Sequence, residues 1–147
     1  MSNNKKTTFK QIWDKLRGVD ISKLVVKKGK LDYLNWADAW VLIMDTYPEA
    51  TYEFKPPVFY GIQGGSGTCE VYCSITIEGI TREWGLPVMT NQLPMKSIEN
   101  PTSRDISDAK ARCLVKTLAI FGLGLSLWEK KQGSSVKVTE FADGVGF

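Results

Sequence analysis

The 147-residue chain contains no histidine. That removes the side chain most often used as a general base near neutral pH and as a metal ligand. Hydrolytic and metal-dependent chemistry therefore lose their usual residue. Cysteine is scarce as well, and Cys69, Cys73 and Cys113 show no paired spacing of a zinc site or a disulfide framework. Cys69 and Cys73 would point the same way on a strand, and all three read as buried apolar residues. No stretch approaches the roughly 18 consecutive apolar residues of a membrane helix. Met1 to Lys10 is polar and basic, without the hydrophobic region of a secretory signal. The expectation is a soluble intracellular protein.

What the chain does contain is enough for one ordinary domain with a core. Hydrophobic residues make up 43%, and five Trp, five Tyr and six Phe argue against disorder of the whole chain. The net charge of +3 is unevenly placed. Residues 1 to 30 hold nine Lys/Arg against Asp14 and Asp20, while the remaining ten Lys/Arg face fourteen acids, so the two parts carry +7 and −4. A basic segment on a mildly acidic body suits contact with a polyanion, because cations gain affinity by releasing counterions condensed on phosphates. A solubilising arm would give the same count.

Phe9, Ile12, Trp13 and Leu16 form one apolar face over two turns, with Thr7 or Thr8 as cap and Gly18 as terminator. Leu24, Val25 and Val26 lead into the basic run Lys27, Lys28, Gly29, Lys30. A second helix starts at Asn35, with Asp38 three residues on, lines one side with Trp36, Trp40, Ile43, Met44 and Tyr47, and ends at Pro48. Two tryptophans four apart can stack bases, but a stripe at helical spacing is more often core.

After Pro48 the period changes from 3.6 to 2. Thr51 to Phe54 and Val58 to Tyr60 form one strand interrupted by Pro56 and Pro57, which places it at an edge or across a bulge. Cys69, Val71, Cys73, Ile75 and Ile77 alternate with Glu70, Tyr72, Ser74, Thr76 and Glu78. Glu78-Gly79 makes a tight turn, and Ile80, Arg82, Trp84 and Leu86 alternate again. The loop Gly61 to Thr68 has the glycines of a phosphate-binding loop. Gly67 stands where its lysine belongs, however, and a strand follows, so the loop reads as a hairpin connection. Residues 87 to 101 hold three prolines and no period, a long connection of the kind that is often functional.

The longest periodic stretch is Thr102 to Leu125. Ile106, Ala109, Cys113, Thr117, Ile120 and Phe121 recur at three- and four-residue steps, and Arg112 and Lys116 fall four apart on another face. Thr102 and Ser103 offer capping oxygens, Asp105 and Asp108 sit early where negative charge is favoured, and Gly122 and Gly124 can stop the helix. The pattern predicts an amphipathic helix from about Arg104 to Phe121, within two to four residues at either end. The fold class is therefore α+β, a three-stranded antiparallel sheet packed on a long helix and preceded by one or two shorter helices. Residues 1–8 are expected to be a flexible N-terminus, 9–128 the domain, and 129–147 a polar, flexible tail.

Three blocks, YLNWADAW at Tyr33 to Trp40, TREWGLPVM at Thr81 to Met89 and RCLVKTLAIFGLGL at Arg112 to Leu125, resemble the signature blocks of phage single-strand annealing proteins of the Sak type. These are recombinases of the superfamily that includes the eukaryotic Rad-fifty-two annealing protein. The resemblance covers about residues 9 to 128, and the order of three blocks makes it more specific than any one. It implies a β-β-β-α core assembled as homo-oligomeric rings or helical filaments that bind single-stranded DNA along a basic groove. It also implies ATP-independent annealing of complementary strands in homologous recombination and DNA repair, without cofactor, metal or catalytic residue. By position Lys116 matches a basic groove residue, Lys27, Lys28 and Lys30 lie near the upstream basic contact, and Arg112 shares the helix with Lys116. Arg82 and Lys96 complete the candidate DNA-binding set, each with a structural alternative. Val115 and Ala119 stand where the eukaryotic relative is basic. Further implied partners are a phage or host single-strand-binding protein or an exonuclease, and the implied location is the cytoplasm, that of the bacterial host for a phage-encoded chain.

Two other readings remain open on the residues alone. One is a single-strand-binding protein that does not anneal. The other is a small metal-dependent nuclease, for which Asp105 and Asp108 are the only close acidic pair that could serve. Their place early in a helix also suits them as dipole partners.

Overall fold

Cys69, Val71, Cys73, Ile75 and Ile77 lie on one face of a strand, and each is at most 1% exposed. A computed structural model, which describes residues 6–28, 31–61, 67–91 and 94–129, shows what that face packs on. The elements run in the order α1 (Phe9–Arg17), β1 (Val25–Lys28), β2 (Leu31–Leu34), α2 (Trp36–Thr46), β3 (Thr51–Gly61), β4 (Gly67–Ile77), β5 (Ile80–Pro87) and α3 (Ser103–Ile120), followed by a 3-10 turn at Leu125–Leu127. The protein is α+β: β3, β4 and β5 form an antiparallel sheet with β4 central, and α3 packs across β4 and β5.

The turn residues account for the sheet's register. Glu78 at φ 52° and Gly79 at φ 80° give a two-residue turn with both central residues left-handed, the arrangement whose twist matches a hairpin, and Ile77 pairs directly with Ile80. On the other side the β3–β4 register shifts between Lys55 and Val58, where Pro56 and Pro57 interrupt the pairing. Proline donates no ladder hydrogen bond, so β3 takes the edge and carries a bulge there. The connection from 62 to 66 lies outside the described residues, although Gly61 and Gly67 pair at its base.

α3 starts with a capping box: Oγ1 of Thr102 accepts from the Asp105 N–H at 3.1 Å, and the Asp105 carboxylate accepts from the Thr102 N–H at 2.9 Å. Ala109, Cys113 and Thr117 are buried, as the period requires. The second half of the helix departs from the amphipathic expectation, because every residue from Cys113 to Ala119 is buried. The sheet covers one side and α2 another, and just past the helix end the Phe121 ring lies 5.8 Å from that of Phe9, the first residue of α1. A helix enclosed on several sides has no polar stripe to lose. Gly122 at φ 114° then turns the chain away, and a Cβ there would lie 3.0 Å from the Trp13 carbonyl oxygen and 3.2 Å from the Arg17 N. Glycine fits that close approach and that backbone shape.

The sequence assigned no element to Val25–Leu34. It folds as a two-stranded hairpin, with Val26 opposite Tyr33 and Lys27 opposite Asp32. α1 begins at a capping box between Thr8 and Gln11 and ends at Gly18, and α2 begins where Oδ1 of Asn35 accepts from the Ala37 N–H. Its tryptophans part company. Trp40 is half-buried and edge-on to Tyr52 with centroids 5.1 Å apart, whereas Trp36 is 43% exposed.

Candidate nucleic-acid interface

Four of the seven cations nominated from the sequence fall along one seam, where α3 runs antiparallel to β5. Two contacts fix the direction: Lys116 places its ammonium 6.0 Å from the centre of the Trp84 ring, and one turn earlier Arg112 donates to the Met89 carbonyl at 3.4 Å. At the far end Arg82 stacks its guanidinium 4.4 Å from the centre of Phe9, whose ring meets Phe121. At the near end Lys96 is tied to the chain that leaves β5, its N–H donating to Oγ1 of Thr90 at 3.2 Å and its carbonyl accepting from the Thr90 N–H at 2.9 Å. The order along the seam is therefore Lys96, Arg112, Lys116, Arg82. Arg112 and Lys116 stand about 6 Å apart along the helix axis, four residues at 1.5 Å each.

The four are not equally accessible. Arg82 and Lys96 are exposed and Arg112 is half-buried. Lys116 is only 7% exposed, and burial pulls its pKa below the ordinary lysine value, because an ammonium withdrawn from water loses hydration. Its place beneath Trp84 was not legible from spacing, which gives a face of the helix but not what covers it.

Lys27 sits on the β1–β2 hairpin, whose base docks near the end of α3. There Leu34 is buried, and a Cβ on Gly124 would lie 3.2 Å from Cδ2 of Leu34. The Lys27 ammonium is 3.8 Å from Oδ1 of Asp32 across the hairpin, and both side chains stay open to water at 79% and 50% exposure. An exposed pair of this kind stabilises by about 0.2–1 kcal/mol and leaves the lysine available. Lys28 contributes backbone to β1; its side chain and all of Lys30 lie outside the described residues, as does the tail from 130 to 147.

Sequence reasoning missed the phenylalanine that Arg82 stacks on, since Phe9 is 73 residues away in the chain. Tyr60 and Tyr72 are two further aromatic residues of the sheet. On the sheet face away from α3, both hydroxyls donate to Oε1 of Glu70, at 2.9 and 2.6 Å, and this bond raises the Tyr72 pKa well above the tyrosine norm. The Tyr72 ring lies over Gly85, where a Cβ would come within 2.6 Å of it. Lys55 and Glu83 pair at 2.6 Å on the same face. Among the described residues no group of three metal-ligating side chains gathers, and Asp105 is engaged in its capping box. No helix among them is long and apolar enough to cross a membrane.

Residues 10–132 match the family described as Sak Single Strand Annealing Protein. The chain belongs to this family. The Sak match takes in all three sequence blocks and every element from α1, less its first residue Phe9, to the 3-10 turn, so α3, β5 and the hairpin lie inside it. No individual curated protein matches the chain.

Proposed function

We propose that this Sak family member binds single-stranded DNA along the α3–β5 seam and pairs complementary strands without ATP, in phage homologous recombination. The observation that supports the reading is the row of Lys96, Arg112, Lys116 and Arg82, with Trp84 against Lys116 and Phe9 against Arg82. Cations neutralise the phosphate repulsion that keeps two strands apart, and aromatic rings accept bases of any sequence. Base edges left free can then find complements. Nothing in that process requires a nucleophile, a metal or nucleotide hydrolysis.

In this reading Arg82 and Lys96 meet phosphates directly. Lys27 extends the track from the hairpin docked at the helix end, Lys28 and Lys30 belong to the same basic run of the sequence, and Lys116 adds charge from the floor of the seam. One chain offers a short track, so homo-oligomers in a ring or filament supply its length and the avidity of repeated contacts. The exposed run Val58, Phe59 and Tyr60 on edge strand β3 supports self-association, because an apolar free edge invites another chain. A phage or host single-strand-binding protein or exonuclease would deliver or coat the strands to be paired, in the cytoplasm of the host.

The test is the salt dependence of binding to a fluorescent single-stranded oligonucleotide. Arg82→Ala and Lys96→Ala should each weaken binding alike across sequences and lower the slope of log K against log salt by about 0.7, the value for one phosphate on a single strand. Unchanged slopes in both variants would remove the seam from the interface.

A further inference from the structure

Arg112 is gripped from above by the chain that leaves β5. Its Nη2 donates to the Met89 carbonyl at 3.4 Å and to Oδ1 of Asn91, while Nη1 is buried with no hydrogen-bond partner. Asp108, one turn earlier on the same helix, lines the same cavity of about 50 Å³, yet the guanidinium turns to the loop. A half-buried guanidinium committed to a carbonyl and an amide oxygen has little left to offer a phosphate.

The residues it holds form one arm of a small ladder. Met89 bridges Ser97 in antiparallel fashion, and the Ile98 N–H donates to the Val88 carbonyl at 2.9 Å. Thr90, between the two residues that Arg112 grips, bonds Lys96 twice, through its own N–H and through Oγ1. The path from guanidinium to lysine therefore has two hydrogen-bonded steps joined by one covalent one: Arg112 bonds Met89 and Asn91, these flank Thr90 in the chain, and Thr90 bonds the backbone of Lys96.

We infer that Arg112 is a positioning residue, which fixes Lys96 at the mouth of the seam and does not itself bind DNA. This rests on the proposed DNA contact of Lys96. A lysine on an unanchored loop surrenders backbone and side-chain freedom when it meets a phosphate; one held by this ladder has surrendered part of it already. Arginine suits the task because its planar fork reaches two acceptors at once, where a lysine ammonium acts as a point charge.

The experiment is a double-mutant cycle on the full chain with a fluorescent oligothymidylate, using Arg112→Gln, Arg112→Lys, Lys96→Ala and the double variant of Arg112→Gln with Lys96→Ala. Arg112→Gln should weaken binding roughly threefold to tenfold in the wild-type background, and less than about twofold once Lys96 is alanine. Arg112→Lys keeps the charge but not the fork, and should behave like Arg112→Gln. Without DNA, the amides of Thr90 and Lys96 should exchange hydrogen faster in both Arg112 variants. Losses that multiply in the double variant, or full affinity and unchanged exchange in Arg112→Lys, would overturn the inference while leaving Lys96 as a DNA contact. A Lys96→Ala chain that binds like wild type would remove Lys96 from the DNA reading, and this role of Arg112 with it. Should the Arg112 variants fail to fold, Asn91→Ala cuts the same link from its exposed side, and the same non-additivity with Lys96→Ala is expected.

Discussion

Lys116 illustrates how burial changes what a cation can do. At 6.0 Å the ammonium is at the outer limit of a useful cation–π contact with Trp84, so desolvation of a side chain 7% exposed outweighs that attraction. Its folded pKa lies below 10.5, and between these two values the unfolded chain binds more protons than the folded one. Stability contributed at this site therefore rises with pH across that window, and the charged form costs stability below it. Lys116→Met should raise the denaturation midpoint at neutral pH and flatten the alkaline rise relative to wild type, measured by chemical denaturation at several pH values. The same variant should change the salt slope of DNA binding less than Lys96→Ala does, since counterion release follows phosphate contact. The thiols obey the same physics. Burial pushes Cys73 up to about 12 and Cys113 to about 11, so both should resist alkylation in the native protein and react on unfolding. That all three cysteines are buried was legible from their strand and helix periods; that Lys116 is buried near Cys113 was not, because a lysine four residues from an arginine reads as a surface pair.

Local rules specify α3 and the sheet well, and specify the hairpin poorly. The helix runs Ser103–Ile120 against an expected Arg104 to Phe121, because its caps are written in Thr102, Asp105 and Gly122. Thr102→Ala removes an oxygen that satisfies a free N–H and should cost about 0.5–2 kcal/mol, read by chemical denaturation. The β1–β2 hairpin has strands of four residues, too short for a period to show, and its second strand runs straight into the cap of α2. Its formation depends on the docking of Leu34 near Gly124, ninety residues away, which no local pattern carries. Cross-strand packing was equally hidden. Gly85 lacks a side chain because the Tyr72 ring occupies that space, so Gly85→Ala should displace the ring, cost about 1–3 kcal/mol and return the Tyr72 pKa toward ordinary values. A spectrophotometric titration of the tyrosines would follow the second effect.

Across the whole molecule, the three blocks that carry the Sak resemblance meet at one place. The Thr81 to Met89 block forms one wall of the seam, the Arg112 to Leu125 block the other, and the Tyr33 to Trp40 block carries the end of the hairpin that docks where α3 stops. The opposite edge of the sheet presents Val58, Phe59 and Tyr60, at 41%, 61% and 52% exposure, which separates the proposed self-association surface from the proposed DNA track. Phe59→Glu should accordingly lower the sedimentation mass while preserving the fold, and an unchanged mass would place the subunit contact elsewhere. The central claim is strand pairing. It is tested most directly by the rate at which two complementary oligonucleotides pair, with and without the protein and with no nucleotide present. Acceleration is predicted, with an optimum in the ratio of protein to nucleotide and a loss when Arg82 and Lys96 are both alanine; tight binding with no acceleration at any ratio would contradict it.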